Sequence, residues 1–294
     1  MFTFTQYCGK KKRPLPVEPP SLEGAPLIET HAHLDMLQDP ITALARAAFV
    51  GISGLLTIAD VSEKAQHTYD TLDLWLEDAQ MLLDAHAPGL TVPKVWIIIG
   101  QHPHNARRFN AAAETNIRAL AKDPRTVGLG ELGLDYHYDY SPRDQQRAAF
   151  VRHLQIAHEL DLPIIIHLRE AHEDGLAILQ KESIPKAGAI LHCFNRDFAT
   201  AEPFLELGCT LGFGGPVTFK SANELREAVA ATPTGRFIVE TDCPFMAPTP
   251  FRGQKCEPAH TLWVADAVAQ ARATTLPDLA RETTATARRI FTLS

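Results

Sequence analysis

The sequence predicts an α/β protein folded as one (β/α)8 TIM barrel, and three observations carry that prediction. Eight short apolar, β-branched runs recur along the chain, and longer segments with helical spacing lie between them. The apolar runs lack polar alternation, which suits strands buried on both faces of a parallel sheet. Eight strands alternating with helices make the pattern of a closed barrel. The competing architecture, an open doubly wound sheet, places a Gly-rich turn after its first strand. Here that turn reads His31-Ala32-His33-Leu34-Asp35.

Residues 1–24 are expected to form an extended appendage. Lys10-Lys11-Lys12-Arg13 is a basic run, and Pro14, Pro16, Pro19 and Pro20 favour extended chain over helix. A solvated tail is the plain reading of this segment, and contact with a phosphate backbone is the alternative. The barrel is expected over residues 25–294. Its strands are read at Leu27–Thr30, Gly54–Ile58, Val95–Ile99, Thr126–Leu129, Pro163–Ile166, Ala189–Leu191, Cys209–Phe213 and Phe237–Thr241. Helical spacing appears at Ile41–Phe49, Leu72–Ala85, Ile117–Ala121, Arg143–Leu160 and Leu176–Gln180. A last helical stretch, Pro277–Phe291, either serves as the eighth helix or packs over the barrel's base.

The chain has 294 residues, 45% hydrophobic and 21% charged, so it carries ample apolar material for one large core. No window approaches 18 uncharged apolar residues, and no apolar signal region opens the chain, so neither a membrane span nor secretion is expected. A formal charge of −7 argues against a broad basic surface gripping long stretches of duplex. It leaves room for a small anionic substrate held by a metal and a few arginines. The cysteines, Cys8, Cys193, Cys209, Cys243 and Cys256, are odd in number and scattered without a CxxC. That excludes a cysteine zinc site and a disulfide framework as readings and fits a reducing cytoplasm.

A barrel presents its functional groups at the C-terminal ends of its strands. Six of the eight runs end in an imidazole or charged group: His31 and His33; His102 and His104; Glu131 and Asp135; His167 with Arg169; His192; and Asp242. Each has a plainer alternative. His31 and His33, at i and i+2, share one face of an extended strand but could be a surface pair. His167 follows three isoleucines, as a core imidazole would, and Asp242 could be an ordinary turn aspartate. Glu131 could merely cap a helix, although its place between Gly130 and Gly133 suggests backbone free for close approach to a ligand. Scattered surface residues would not fall so consistently at one end of every run. Together His31, His33, His167, His192, Glu131 and Asp242 form the nitrogen and oxygen donor set expected of two divalent ions with open positions.

On these residues the chain resembles the TatD family of metal-dependent deoxyribonucleases, within the broader metal-dependent hydrolase barrels. The likeness runs from about Leu27 to the C-terminus. It is carried by Glu29-Thr30-His31-Ala32-His33-Leu34-Asp35, Gly100-Gln101-His102-Pro103-His104, Gly130-Glu131-Leu132-Gly133-Leu134-Asp135-Tyr136, His167-Leu168-Arg169, His192-Cys193-Phe194 and Glu240-Thr241-Asp242-Cys243-Pro244. Two departures stand out. Asn195-Arg196-Asp197 follows His-Cys-Phe where the family usually has a glycine, and Cys256 stands where asparagine is common. Neither is a proposed ligand, so they bear on substrate preference and rate.

The resemblance implies that His31, His33, Glu131 and Asp242 hold one ion while Glu131, His167 and His192 hold a second, with Glu131 bridging. Mg, Mn and Zn are all admitted by these ligands. The implied reaction is phosphodiester hydrolysis by a metal-bridged hydroxide, most simply a 3′–5′ exodeoxyribonuclease acting on a single-stranded or 3′ end of DNA. Asp242 would orient and deprotonate the water. His102 is assigned to the substrate phosphate or the leaving oxygen, as donor or general acid. His104, Arg169 and Arg252 are further substrate-binding candidates, with Lys255 weaker; the alternative for Arg169 is a salt bridge to Asp135. Glu240, two residues before Asp242, is placed to support a ligand. The same donor set also serves aminoacyl-tRNA ester, amide or lactone hydrolysis, and a non-catalytic nucleic-acid-binding barrel is a third possibility. A substrate panel separates the first two, and DNA affinity without turnover would favour the third. No protein partner is deducible.

Overall fold

The computed structural model describes residues 2–8 and 13–294. Eight parallel strands follow one another around a barrel: β3 (Leu27–Ala32), β4 (Ile52–Asp60), β5 (Lys94–Gly100), β6 (Thr126–Asp135), β7 (Ile164–Arg169), β8 (Ala189–Leu191), β9 (Thr210–Phe213) and β10 (Phe237–Val239). They take the numbers β3 to β10 because an antiparallel ribbon, β1 (Phe4–Cys8) and β2 (Arg13–Val17), precedes them. All eight expected strands are present, and a helix follows each. These are α1 (Pro40–Phe49), α2 (Ala65–His86), α3 (Ala111–Leu120), α4 (Arg143–Leu160), α5 (His172–Glu182), α6 (Phe198–Glu206), α7 (Asn223–Ala231) and α8 (Thr261–Ala271). No helix among the described residues is long and apolar enough to cross a membrane.

The ladder is continuous from β3 to β10, and the seam between those two is closed differently. An isolated parallel bridge joins Ala32 to Cys243. The Asp242 amide donates to the His31 carbonyl at 2.9 Å, the His33 amide to the Cys243 carbonyl at 2.9 Å, and the Thr30 hydroxyl to the Val239 carbonyl at 2.9 Å. The two sequence motifs richest in donor groups are thus the pieces that shut the barrel.

The ninth helix, α9 (Leu276–Phe291), settles the open alternative for the last helical stretch. Its Ala287, Ile290 and Phe291, with Leu293, pack on the strand residues Ile28, Leu56, Trp96, Ile98, Ile165, Ile190 and Ile238. Thr284 donates to the carbonyl of Pro26, just ahead of β3. The helix therefore plugs the N-terminal end of the barrel, leaving the opposite mouth for chemistry.

The expectation of a solvated N-terminal tail needs correction. Phe4 is 2% exposed and packs against Trp263 and Phe251, with ring centroids 4.9 and 6.2 Å away. The Arg46 guanidinium lies 4.1 Å over the Phe4 ring, and Phe2 stacks on Phe49. Two aromatic rings, Phe4 in β1 and Phe2 just ahead of it, remove enough apolar surface from water to hold the ribbon on the barrel's flank. Pro14 and Pro16 sit in β2, whose outer edge pairs with nothing among the described residues and so tolerates their missing amides. Lys10, Lys11 and Lys12 lie outside the described residues.

Candidate metal centre

The site is built where the seam closes. Glu29 is fully buried and its Oε1 accepts from the amides of His31 (2.8 Å) and Thr241 (3.0 Å), pinning the end of β3 to the segment after β10. The Thr261 hydroxyl of α8 also contacts its Oε2. Burial pushes the Glu29 carboxyl well above the usual carboxylate range, against the pull of the two amides. Asp242 has a positive φ of 59°, which turns its side chain back over the barrel mouth beside the histidines.

Glu131 lies at the centre, and its two oxygens face different partners. Oε2 is 3.3 Å from His31 Nε2 and 3.7 Å from His33 Nε2. Oε1 is 2.7 Å from His167 Nδ1, 3.4 Å from His102 Nε2 and 3.7 Å from His192 Nε2. Asp242 Oδ1 stands 3.4 Å from His33 Nε2, 3.7 Å from His192 Nε2 and 3.9 Å from His31 Nε2. All six expected ligands are brought together. Donor atoms at about 2.0–2.2 Å from a shared ion are separated from one another by about 3–3.5 Å, and the spacings of Glu131 to His31 and His102 and of Asp242 to His33 fall in that range.

His31 supplies an independent test of fit. Its ring is fully buried, yet neither Nδ1 nor Nε2 has a hydrogen-bond partner. A buried imidazole with no partner is costly, and a cation between Glu131 and Asp242 would satisfy its Nε2 lone pair. Four clusters of donor atoms emerge among the described residues: His31–His33–Glu131 and His102–Glu131–His167 share the one carboxylate, while His31–His192–Glu240 and His192–Cys193–Asp242 place His192 with His31 and Asp242.

The electrostatics agree. Burial works against the charge of Glu131, but His102 and His192 nearby, and hydrogen bonds from His102 and His167, hold its carboxyl well below the usual range. Asp242 is lowered likewise, burial being outweighed by His192 and His33. Burial opposes protonation of His192, yet Glu240, Glu131 and Asp242 raise it to about 10. Against the same burial, Asp135 and Glu131 raise His167 to about 9. The carboxylates thus draw protons onto the imidazoles. A divalent cation answers the same negative charge, and an imidazole sheds its proton to bind one.

Around the candidate ligands stands a ring of groups that orient them. Asp135 is fully buried; its Oδ2 faces His167 Nε2 at 3.0 Å and His104 Nε2 at 2.9 Å, while its Oδ1 accepts from the amides of His137 (3.1 Å) and Tyr138 (2.9 Å). Glu240 Oε1 lies 2.8 Å from His192 Nδ1, as the sequence suggested for that residue, and also accepts from the Cys193 amide. Carboxylates behind histidines fix the tautomer that leaves the other nitrogen free for a metal. Sequence reading missed this role for Asp135 and cast it only as a partner for Arg169. The available signal was its position in the same motif, four residues after Glu131.

The substrate candidates separate. His102 Nδ1 accepts from the His104 amide at 3.2 Å, and burial lowers its pKa, so the neutral ring carries its proton on Nε2 toward Glu131. His104 is tied to Asp135 at the edge of the cluster. Arg169 makes no salt bridge to Asp135; its guanidinium lies 4.7 Å over the Tyr138 ring. Arg252 rests 3.6 Å over Phe219, and both it and Lys255 are exposed. Of the two family departures, Asn195 and Arg196 are exposed, whereas Cys256 is buried and its amide donates to the Pro244 carbonyl at 3.1 Å.

Glu131 also sits differently from the expected loop: β6 runs on through it to Asp135, with a shift in register against β7 between Leu129 and Leu132. The flanking glycines serve strand packing rather than an approaching ligand. A Cβ on Gly130 would meet Ile165, and one on Gly133 (φ 137°) would sit 2.1 Å from the His167 carbonyl oxygen.

A parallel barrel whose C-terminal mouth gathers five histidines around one carboxylate belongs to the class of metal-dependent hydrolase barrels. More narrowly, the chain belongs to the TatD related DNase family, whose model matches residues 28–292. It is 34% identical over 271 residues to the metal-dependent hydrolase YcfH of Escherichia coli, covering 90% of this chain and 95% of that one. It is 32% identical over 262 residues to the 3′-5′ ssDNA/RNA exonuclease TatD of a Rahnella species, covering 87% and 94%. Among solved structures, the TatD homologue YJJV of E. coli superposes with a TM-score of 0.75 over 91% of this chain and 98% of that one, at 23% identity, a likeness of fold.

Proposed function

We propose that this protein hydrolyses phosphodiester bonds of DNA with two divalent ions, Mg, Mn or Zn, removing nucleotides from the 3′ end of a single strand. The observation that carries the reading is the division of Glu131: one carboxylate oxygen faces His31 and His33, the other His102, His167 and His192. His31, His33, Glu131 and Asp242 would hold one ion, and Glu131, His167 and His192 the other. Ions so held would supply Lewis-acid polarisation of the phosphate and acidify water at neutral pH.

The chain's own residues do the rest. Asp242, 17% exposed at its side chain, reaches the mouth beside the histidines; it orients the attacking water and takes its proton. The water oxygen bonds to phosphorus as the bond to the departing O3′ breaks. His102 Nε2–H faces the cup and donates to the phosphate or to that departing oxygen. Arg169 and Arg252, bearing on aromatic rings rather than on carboxylates, keep their charge for phosphate. The Rahnella relative's activity on single strands supports the substrate, and the net charge of −7 disfavours a duplex-wrapping surface. Cys193, Cys209, Cys243 and Cys256, which form no disulfide among the described residues, support a place in the cytoplasm.

The test is incubation with 5′-labelled single-stranded DNA and Mg²⁺, Mn²⁺ or Zn²⁺, with and without chelator. A metal-dependent ladder of products shortened from the 3′ end is expected. Release of no nucleotide under any metal refutes the reading.

A further inference from the structure

Three exposed aromatic rings border the cup without joining the donor cluster. Tyr138 and Tyr140, just after β6, are 45% and 57% exposed; Phe245, three residues after Asp242, is 51% exposed. The tyrosine rings stack on each other, with centroids 5.3 Å apart and planes at 17°. Both meet His104 edge-on, at 5.4 and 4.9 Å. Phe245 meets His33 edge-on at 6.1 Å.

These rings divide as the oxygens of Glu131 do. The tyrosine pair abuts His104, which Asp135 links to His167 and so to Oε1. Phe245 abuts His33, which faces Oε2 and Asp242. The Tyr138 backbone is fixed by its amide on Asp135, so this pair is anchored to the same carboxylate that orients a ligand. Any phosphate gripped at Glu131 therefore has aromatic rings on both sides. A phosphodiester likewise has one nucleoside on each side of its phosphorus.

Resting on the nuclease reading above, we propose that Phe245 and the Tyr138–Tyr140 pair are two nucleobase-stacking sites that bracket the scissile phosphate and select an unpaired strand. Every base has a π-face, so stacking holds any sequence, and Arg169 beside Tyr138 offers a local positive charge to an adjoining phosphate. A base inside a duplex is already stacked and paired, and it cannot turn its face to either ring. An acidic protein can hold a strand in this way without a basic surface.

The experiment uses metal-loaded protein and a single strand carrying 2-aminopurine at the last or second-last nucleotide, its final linkages made phosphorothioate to slow cleavage. Wild type should quench the fluorophore at both positions. Phe245→Ala should abolish quenching at one position and the double variant Tyr138→Ala/Tyr140→Ala at the other, each weakening binding about tenfold. On an ordinary strand each should lose about tenfold in kcat/KM, mostly through KM. Tyr138→Phe/Tyr140→Phe and Phe245→Tyr keep a ring and should stay within about twofold. On strands abasic at both nucleotides, alanine variants and wild type should match. Alanine variants that bind, quench and cleave as wild type does, or that lose as much on abasic strands, overturn the proposal. The two readings fail separately: ring-dependent quenching without hydrolysis under any metal sinks the nuclease and leaves the stacking sites. Hydrolysis of single strands indifferent to the alanine changes does the reverse.

Discussion

Asp135→Asn is the change that most directly tests how the ligands are oriented. In the native site Asp135 Oδ1 accepts two backbone amides, from His137 and Tyr138, while Oδ2 receives His167 Nε2 at 3.0 Å and His104 Nε2 at 2.9 Å. Every partner of this carboxylate can donate. His167 Nδ1 donates to Glu131 Oε1 at 2.7 Å, and when that proton is shed, the proton kept on Nε2 by Asp135 leaves Nδ1 a lone pair for an ion. Asparagine has nearly the same shape but cannot serve both sides. If its oxygen stays on the two amides, its NH2 faces the two imidazole nitrogens and favours a proton on His167 Nδ1, where the proposed second ion would bind. If the amide flips, its NH2 meets two N–H donors in a buried site. Loss of a carboxylate behind a ligating histidine costs about 10- to 100-fold in metal affinity or activity, or about 1.4–2.7 kcal/mol. The assay is competitive metal titration against a chromophoric chelator, followed by nuclease rate at saturating metal. We expect the affinity of the ion held by His167 to fall by that factor while the thermal midpoint shows the fold intact. Affinity within twofold of wild type would refute the tautomer argument.

Three further outcomes are expected. His153, buried with its Nδ1 on the Ala149 carbonyl, is lowered by burial from 6.5 to about 4. Between those values an unfolded chain takes up a proton that the native ring refuses, so stability falls as the pH drops from about 6.5 to 4, by at most about 3 kcal/mol. His153→Met should flatten urea midpoints compared at pH 7 and pH 5, and an unchanged slope would count against this. Phe4→Ala removes the ring that anchors the N-terminal ribbon against Trp263 and Phe251, and should cost about 3 kcal/mol, lowering the thermal midpoint by several degrees. A midpoint equal to wild type would mean the ribbon adds nothing to the fold. Gly133→Ala forces a Cβ to 2.1 Å from the His167 carbonyl at a φ of 137°. We expect about 3 kcal/mol or more of destabilisation and loss of metal binding, and a soluble, metal-loading variant would show that β6 and β7 can part there.

The sequence by itself determined the barrel and named the donor groups that the structure brings together at its mouth. Runs such as Pro163–Ile166 are apolar on both faces, and only a parallel sheet covered by helices accommodates that; the histidines and acids stand at the ends of those runs because a barrel puts chemistry there. It was silent on α6, α7 and α8. In α8, Thr261, Leu262, Trp263, Val264, Ala265, Val268 and Ala269 are all buried, so a helix covered nearly all round leaves no amphipathic trace. Proline content pointed to a free tail over residues 1–24, where two phenylalanines find partners that only tertiary contact supplies. The largest share left to the tertiary structure was orientation. Which oxygen of Glu131 faces which histidine, that Asp135 rather than solvent stands behind His167, and that His31 and Asp242 close the barrel seam are matters of distances between strands far apart in sequence. Residue type and strand register say which groups reach the mouth. The angle at which each arrives is set by packing, and that angle selects the proton each imidazole keeps.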